Sequence, residues 1–231
     1  MAHTSIHAII GLKTENIIPK NKYLLTSIII GMILPDFDLI LRYIFDILNS
    51  FQISMPIISN SIFHSIFMIP LITLLILIYS ELKQKKDLKI IASGIAIGMI
   101  FHIIFNIITL QSIGIFYPLI ELESNFNLNQ YLNITFENKY YKWICASEFF
   151  FFRLYGWMII QKIIKNPFNN HKLINKINLW VKLELYIFVL FLLLIYFDAR
   201  ETLFTNIFGV LYALSFFITF YITYRARKSI N

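Results

Sequence analysis

Long apolar blocks alternate with short polar segments along this chain of 231 residues. An α-helix needs about 20 apolar residues to cross about 30 Å of hydrocarbon, and six blocks reach or approach that length. The pattern therefore predicts an all-α fold, a polytopic transmembrane helical bundle of about six membrane helices. The expected crossings are Leu24–Ile44, Ile62–Ser80, Ile90–Leu110, Ile144–Ile164, Leu183–Phe197 and Leu203–Thr223.

The first expected crossing contains a proline, Pro35, followed by the acidic residues Asp36 and Asp38. Proline lacks the backbone N–H and interrupts the hydrogen bonds of a helix. A broken helix at membrane depth is tolerated only where its polar groups face protein or a wet cavity. We therefore expect the first helix to be broken at Pro35 and a polar site to lie beside the break.

The composition supports a membrane location. The chain is 58% hydrophobic and 14% charged, whereas soluble domains are about 45–50% apolar and about 25% charged. The length favours a single membrane domain over residues 1–231, with the candidate site in residues 1–120 and additional apolar helices in residues 121–231. The single cysteine, Cys145, excludes an intrachain disulfide.

The net charge of +7 comes largely from basic residues beside the apolar blocks. The stretches Glu81–Lys89, Lys162–Lys176 and Arg225–Lys228 flank such blocks, as cytoplasmic loops of membrane proteins do. Six crossings place these stretches on one side, so we predict that both termini are cytoplasmic. This placement favours membrane lipid over nucleic acid as a partner. Aromatic anchors at the membrane interface are expected at Tyr140, Trp143 and Trp180.

Histidines and other polar residues recur in the first half at spacings that suit a shared site. His3 and His7 are four residues apart, as are His102 and Asn106, so each pair shares a helix face. Ionisable groups within a membrane are costly and are read as functional. Imidazole and carboxylate are ligands of zinc and related divalent metals. We predict one divalent ion, zinc or alternatively manganese, with candidate ligands His3, His7, Asp36, His64, His102 and Asn106.

Two features leave this interpretation open. Gly94 and Gly98 lie on the same face as His102, which is also typical of a packing seam with an incidental histidine, although a seam explains the glycines and not His102 and Asn106. The N-terminus is expected to be cytoplasmic, so His3 and His7 reach the site only if residues 1–12 fold back into the bundle or if the first crossing is not a simple span.

The order of these motifs resembles a known family. The resemblance covers roughly the first 120 residues, and the family is that of the YdjM-type, LexA-binding, inner-membrane-associated metal-dependent hydrolases. It implies a bacterial-type inner membrane location. The family's relation to the helical zinc-dependent phospholipase C and nuclease fold implies phosphoester hydrolysis. The matching residues are His7, Leu34-Pro35-Asp36-Phe37-Asp38, His64-Ser65, Gly98, His102, Asn106, Thr109, Gly114 and Pro118.

The chain departs from the family pattern at three places. The family usually has Asp at the position of Asn106, and an amide oxygen is a weaker, neutral ligand. Leu39 stands where the family often has His, and Phe63 replaces a Thr. Ser59, Asn60 and Ser61 occupy the positions of a frequent H-R-G motif. These departures favour one metal, or a degenerate site, over a multinuclear centre.

The expected function is a membrane-bound hydrolase in which a metal activates water. His7, Asp36, His64 and His102 would hold the ion. The catalytic candidate is Asp38, as general base or as a carboxylate that orients an imidazole. Ser65, Thr109 and Arg153 are candidate substrate-binding residues, although Ser and Thr often bond a carbonyl one turn earlier. Glu148 is expected to be solvated near the interface.

Two alternatives remain at this point. An ion or small-solute transporter should carry polar residues in both halves, whereas the recognised ones cluster in the first half. A non-catalytic relative with a degenerate site is the other alternative, and Asn106 favours it. The expected partners are membrane lipid and a small-molecule or lipid-linked substrate. The sequence specifies neither that substrate nor the oligomeric state.

Overall fold

The computed structural model describes residues 4–19, 21–50, 62–109, 115–117, 138–165 and 170–230. Within these ranges the regular structure is entirely helical, which confirms the predicted helical membrane bundle. The helices are α1 (Thr4–Lys13), α2 (Leu24–Ile33), α3 (Phe37–Ser50), α4 (Met68–Lys83), α5 (Asp87–Ile108), α6 (Asn138–Lys165), α7 (His171–Tyr196), α8 (Glu201–Arg225) and α9 (Arg227–Ile230).

In the described part of the chain, five helical spans are long and apolar enough to cross a membrane. They are the run through α2 and α3, and helices α5, α6, α7 and α8. Helix α4 has 16 residues, which is about 24 Å and short of the hydrocarbon thickness. The predicted crossing Ile62–Ser80 was too long at its start, because residues 62–67 form turns whose polar groups bond other segments.

The predicted break at Pro35 is a short 3₁₀ segment, Leu34–Asp36, between α2 and α3. Pro35 lies in the first turn of this segment, where a missing N–H is tolerated. The helical run continues beyond it, so Leu24–Phe45 forms a single span. The interruption buries Asp36 at the junction instead of leaving it on a regular helix face.

Helix α2 is the centre of the bundle and packs against α1, α5 and α8. It approaches α5 closely where glycines face each other. A Cβ atom on Gly98 would lie 2.8 Å from the backbone nitrogen of Met32, and one on Gly31 would lie 2.9 Å from the Cα of Ile95. Small residues permit such close helix contacts in membranes. This crossing brings the end of α2 beside the last turns of α5.

Helix α1 is folded into the bundle and not left at its surface. Most of its residues are buried, including His7, and the helix packs against α2 and α6. The Thr4 and Tyr212 hydroxyl groups are hydrogen-bonded, and the Ser5 backbone N–H donates to Glu148 at 2.9 Å. The prediction that Glu148 is solvated was therefore wrong, because it is 3% exposed and accepts an N–H from the first turn of α1.

Helix α7 begins at His171, twelve residues before the predicted start at Leu183. The Asn170 side chain caps it by accepting the Leu173 N–H at 3.1 Å. Trp180 is consequently an interior residue, 4% exposed, so its predicted role as an interfacial anchor was wrong. Tyr140 and Trp143, in contrast, are 60% and 51% exposed, as interfacial anchors should be.

Candidate metal centre

Four elements bring the polar residues of the first half together. Helix α1 contributes His7, the 3₁₀ segment contributes Asp36, the turns at residues 62–67 contribute His64, and α5 contributes His102 and Asn106. Each of these five side chains is at most 4% exposed. Buried charged and polar groups are stable only when they are paired or bind a metal, so the cluster requires an account of its partners.

Three of these side chains form a small triangle of potential ligand atoms. The Oδ1 atom of Asp36 is 3.7 Å from Nε2 of His64 and 3.6 Å from Nε2 of His102. The two Nε2 atoms are 3.2 Å apart. The circle through the three atoms has a radius of about 2.0 Å, which matches zinc–nitrogen and zinc–oxygen distances of about 2.0–2.2 Å.

The opposite nitrogen of each imidazole is held by an acceptor. Nδ1 of His102 is 2.7 Å from the Met32 carbonyl oxygen, and Nδ1 of His64 is 3.1 Å from Oδ2 of Asp38. Carbonyl and carboxylate oxygens only accept hydrogen bonds, so both Nδ1 atoms carry the proton. Each ring therefore directs Nε2 into the triangle, and in the neutral form this nitrogen carries the lone pair, as in metal-binding histidines.

Nε2 of His102 accepts the Asn106 amide and also lies 3.2 Å from Nε2 of His64, so a proton or a cation would relieve the contact between the two rings. Neither oxygen of Asp36 has a hydrogen-bond partner in the described structure. A divalent ion within the triangle would contact Asp36 and both rings at once. The donor set and the spacing therefore fit a zinc-like ion.

His7 lies against the same group. Its ring stacks on that of His102 with centroids 4.1 Å apart, and Phe105 contacts it edge-on at 5.2 Å. One ligand atom each of His7, Asp36 and His102 lie within 4.8 Å of one another. The two possible triads thus share Asp36 and His102, and His7 is in position to act as a fourth ligand.

Asn106 lies one helical turn after His102. Its Nδ2 amide group donates to Nε2 of His102 at 2.9 Å, and its Oδ1 has no hydrogen-bond partner among the described residues. The amide therefore occupies the ligand side of His102. Rotating the amide by 180° would direct Oδ1 to the same place, where a cation would accept it as a neutral ligand.

Asp38 lies behind His64 and not beside the triangle. Its Oδ2 accepts both the His64 Nδ1–H and the Phe63 backbone N–H, the latter at 2.8 Å. Of the two roles predicted for Asp38, this geometry favours the orientation of an imidazole over general-base catalysis. The carboxylate fixes the ring's proton and angle, as carboxylates behind metal-binding histidines do.

The remaining predicted residues lie outside the cluster. Ser65 donates to the Tyr117 carbonyl at 2.6 Å, and Thr109 donates to the Phe105 carbonyl one turn earlier at 3.0 Å. Arg153 is on α6, which packs against α1, α7 and α8, and no hydrogen bond or ion pair joins it to another described residue. His3 lies outside the described residues.

The sequence did not reveal the backbone groups of the site. The Met32 carbonyl and the Phe63 N–H belong to apolar residues, so no side-chain pattern marks them. The buried acid Glu184, which accepts the Ser215 hydroxyl at 2.7 Å, was also missed. A lone acid within an otherwise apolar block is the signal that would have identified it.

Comparison with known proteins identifies the family of the chain. A family model described as YdjM inner membrane protein matches residues 2–226. The match extends well beyond residue 120, to which the resemblance read from the sequence was limited. That resemblance stopped there because the second half consists of apolar helices without distinctive residues. No curated protein and no solved structure matches the chain. The chain belongs to the YdjM inner membrane protein family.

Proposed function

We propose that this protein is a membrane-bound, metal-dependent hydrolase that cleaves phosphoesters. The observation that carries the proposal is the triangle of Asp36, His64 and His102, whose edges of 3.2–3.7 Å suit a divalent ion. His7 is the fourth candidate ligand. Zinc suits the nitrogen and oxygen donors best, and manganese is the alternative.

Hydrogen-bond acceptors of the protein orient the two imidazoles of this site. The Met32 carbonyl and Asp38 accept the Nδ1–H groups of His102 and His64, so Nε2 of each ring faces the triangle. The chemistry that a divalent cation supplies when bound here is polarisation of a phosphoryl oxygen and activation of water. Burial of all four ligands excludes bulk water and strengthens these electrostatic effects.

The surroundings of His64 favour a lipid or lipid-linked phosphoester as substrate. The two residues after Ser65, Ile66 and Phe67, are 43% and 42% exposed, which gives the site an apolar rim. Two hydrogen bonds, from Ser65 to Tyr117 and from Ile66 to Ile115, attach a second segment beside this rim. An acyl chain would contact such a surface favourably while its phosphate reached the polar cluster.

The test is metal content together with hydrolysis. Purified protein in detergent should retain about one zinc per chain and cleave bis(p-nitrophenyl) phosphate or a short-chain phospholipid. H102A should lose both the metal and the activity. H171A, which removes an exposed histidine at the start of α7, is the matched control and should behave as wild type.

The opposite outcome would identify a non-catalytic relative. If the wild-type protein stays metal-free and inactive after zinc or manganese is supplied, the hydrolase proposal fails. The amide of Asn106, which satisfies His102 by itself, would then be the natural explanation.

One observation favours a transporter as the second candidate function. The second half also contains buried acids, since Glu148 and Glu184 are 3% and 1% exposed. The expectation that such residues cluster in the first half was therefore wrong. If transport is the function, E184Q should reduce cation or proton flux into liposomes. If hydrolysis is the function, E184Q should leave phosphoesterase activity near wild type.

A further inference from the structure

We propose that a cavity at the opposite end of the bundle from the metal centre binds the headgroup of an anionic phospholipid. The cavity measures about 580 Å³, within the range of about 300–1,000 Å³ typical of small-molecule sites. It lies between the start of α2, the turn that joins α4 to α5, and the end of α8. Its wall includes Tyr23, Ser27, Ile91, Lys85, Lys86 and Arg227.

The outer wall of the cavity is basic. Lys85 and Lys86 are exposed, and no described acid lies within ion-pair distance of either ammonium group. Their turn is fixed, because Gln84 adopts a positive φ of 52° and Ser80 exchanges two hydrogen bonds with the backbone of Lys85. Two cations are thus held at one edge of the cavity by an ordered turn.

Arg227 supplies a third cation from another helix end. Its guanidinium lies 4.2 Å from the centre of the Tyr224 ring and donates to the Tyr224 carbonyl at 2.9 Å. This contact restrains the planar group, which suits bidentate recognition of a phosphate. Basic residues from separate elements therefore converge on the cavity, which is the arrangement expected for an anion.

The acid at the cavity does not cancel this charge. Asp87 lines the wall, but its carboxylate pairs with Lys22 at 3.3 Å. Lys22 in turn lies 4.7 Å from the centre of the Tyr23 ring. The ion pair neutralises Asp87 locally, so the wall formed by Lys85 and Lys86 remains positive.

The inner wall is apolar and distinguishes a lipid from a free phosphate. Ile30 and Ile91 line it, together with Thr26 and Ser27 from the spanning part of α2. The Ser27 hydroxyl already donates to the Tyr23 carbonyl at 2.6 Å, so it offers no free donor inward. A phosphate on the basic wall with an acyl chain along the isoleucines would satisfy both walls. Basic pockets between membrane helices bind acidic lipid headgroups in this way.

This site is separate from the metal centre. Ser27 and Asp36 are nine residues apart along nearly continuous helix, which corresponds to about 13 Å. None of the residues of the metal triangle lines the cavity. The lipid site is therefore independent of the proposed hydrolase activity, and either proposal can fail alone.

Binding of dioctanoyl-phosphatidylglycerol to the full-length protein in a non-ionic detergent tests the proposal. The double variant K85Q/K86Q should bind this lipid about 30-fold more weakly, given the usual effect of basic residues beside acidic lipids. The matched control is K172Q/K176Q. It removes two exposed lysines from the start of α7, outside the cavity, and should stay within about twofold of wild type.

Two further ligands show which part of the lipid the cavity recognises. Dioctanoyl-phosphatidylcholine has the same chains without net charge and should bind at least about tenfold more weakly. Glycerol 3-phosphate has the phosphate without chains and should fail to compete. Equal loss in both double variants, equal binding of the two lipids, or full competition by glycerol 3-phosphate would each overturn the assignment.

Discussion

The backbone carbonyl of Met32 determines what His102 can do. By accepting the Nδ1 proton at 2.7 Å it leaves Nε2, which faces Asn106 and His64, as the only nitrogen of this completely buried ring that can bind a cation. Asp38 performs the same task for His64. Each histidine is thus oriented by a partner on its far side, which is the arrangement that raises the basicity of metal-binding imidazoles.

Removal of Asp38 should weaken metal binding without removing a ligand. We expect D38A to reduce zinc affinity about 10–100-fold, because His64 loses the acceptor that fixes its tautomer. D38N keeps an oxygen at that position and should recover part of the loss. Calorimetric titration of metal-stripped protein with zinc measures both values.

The control for Asp38 is D198N, at a carboxylate that is 92% exposed. It should bind zinc as wild type does. Unchanged affinity in D38A would show that Asp38 does not orient His64. Equal losses in D38A and D38N would point to a general loss of structure.

Substitution of Asn106 should raise the zinc affinity instead of lowering it. Its amide donates to the ligand atom of His102 and brings no charge. We expect N106D to bind zinc at least about tenfold more tightly, because a carboxylate attracts the ion and cannot donate to Nε2. The same substitution at the exposed Asn16, N16D, should leave zinc affinity unchanged. Weaker or equal affinity in N106D would place this residue outside the ligand sphere.

The side chains of the centre were largely foreseeable from the sequence, and its backbone contacts were not. Asp36, His64 and His102 interrupt apolar blocks, where polar residues are costly and therefore conspicuous. Met32 and Phe63 act through main-chain atoms that every residue has. The two roles predicted for Asp38 could be separated only by the structure, in which it contacts Nδ1 of His64 and not Nε2.

The crossing of α2 and α5 sets the distance between the ligands at helix level. Gly31 and Gly98 let the two backbones meet, and Asp36 and His102 follow them at the same end of the contact. Gly98, which permits close packing, and His102, which belongs to the candidate site, therefore share one face of α5. The close approach is what allows a residue after α2 to reach one on α5.

A methyl group at Gly98 should disturb both packing and metal binding. The added Cβ meets the backbone of α2, which cannot move as a side chain can. We expect G98A to destabilise the protein by about 1–3 kcal/mol and to weaken zinc binding, measured by thermal unfolding in detergent and by titration.

Gly156 provides the comparison for Gly98. A Cβ there would meet side-chain atoms of Val181 and Trp180, at 2.7 and 2.8 Å, in the contact between α6 and α7. Neither of these helices supplies a candidate ligand of the metal centre. G156A should lower stability while leaving zinc affinity intact. If G98A also leaves zinc affinity intact, the α2–α5 contact does not position the ligands.

The burial of helix α1 could not be predicted from the sequence. The segment is short and bordered by polar residues, so its pattern is typical of a surface helix. Its burial depends on partners far away in the chain, namely Glu148 and Tyr212, which bond its first turn. Such long-range hydrogen bonds leave no local signal, although they are what places His7 beside His102.

Helix α4 returns the chain to the end of the bundle at which α2 begins. This helix is shorter than the membrane core, but it forms a tight hairpin with α5 through the turn at Gln84. If α4 crosses, the chain passes the membrane six times and both termini lie on the side of the basic loops. The start of α2, the α4–α5 turn and the end of α8 line one cavity, so all three lie at the same end of the bundle.

Cysteine labelling tests whether both termini lie on the side of the basic loops. A C145A background removes the buried native thiol. In this background N21C lies before the first span, K228C lies after the last span, and R200C lies in the turn between α7 and α8. All three sites are exposed. We expect an impermeant maleimide to label R200C in cells with a permeabilised outer membrane, and N21C and K228C only after the inner membrane is opened. Labelling of N21C and K228C from opposite sides would contradict the placement of the start of α2 and the end of α8 at one end of the bundle.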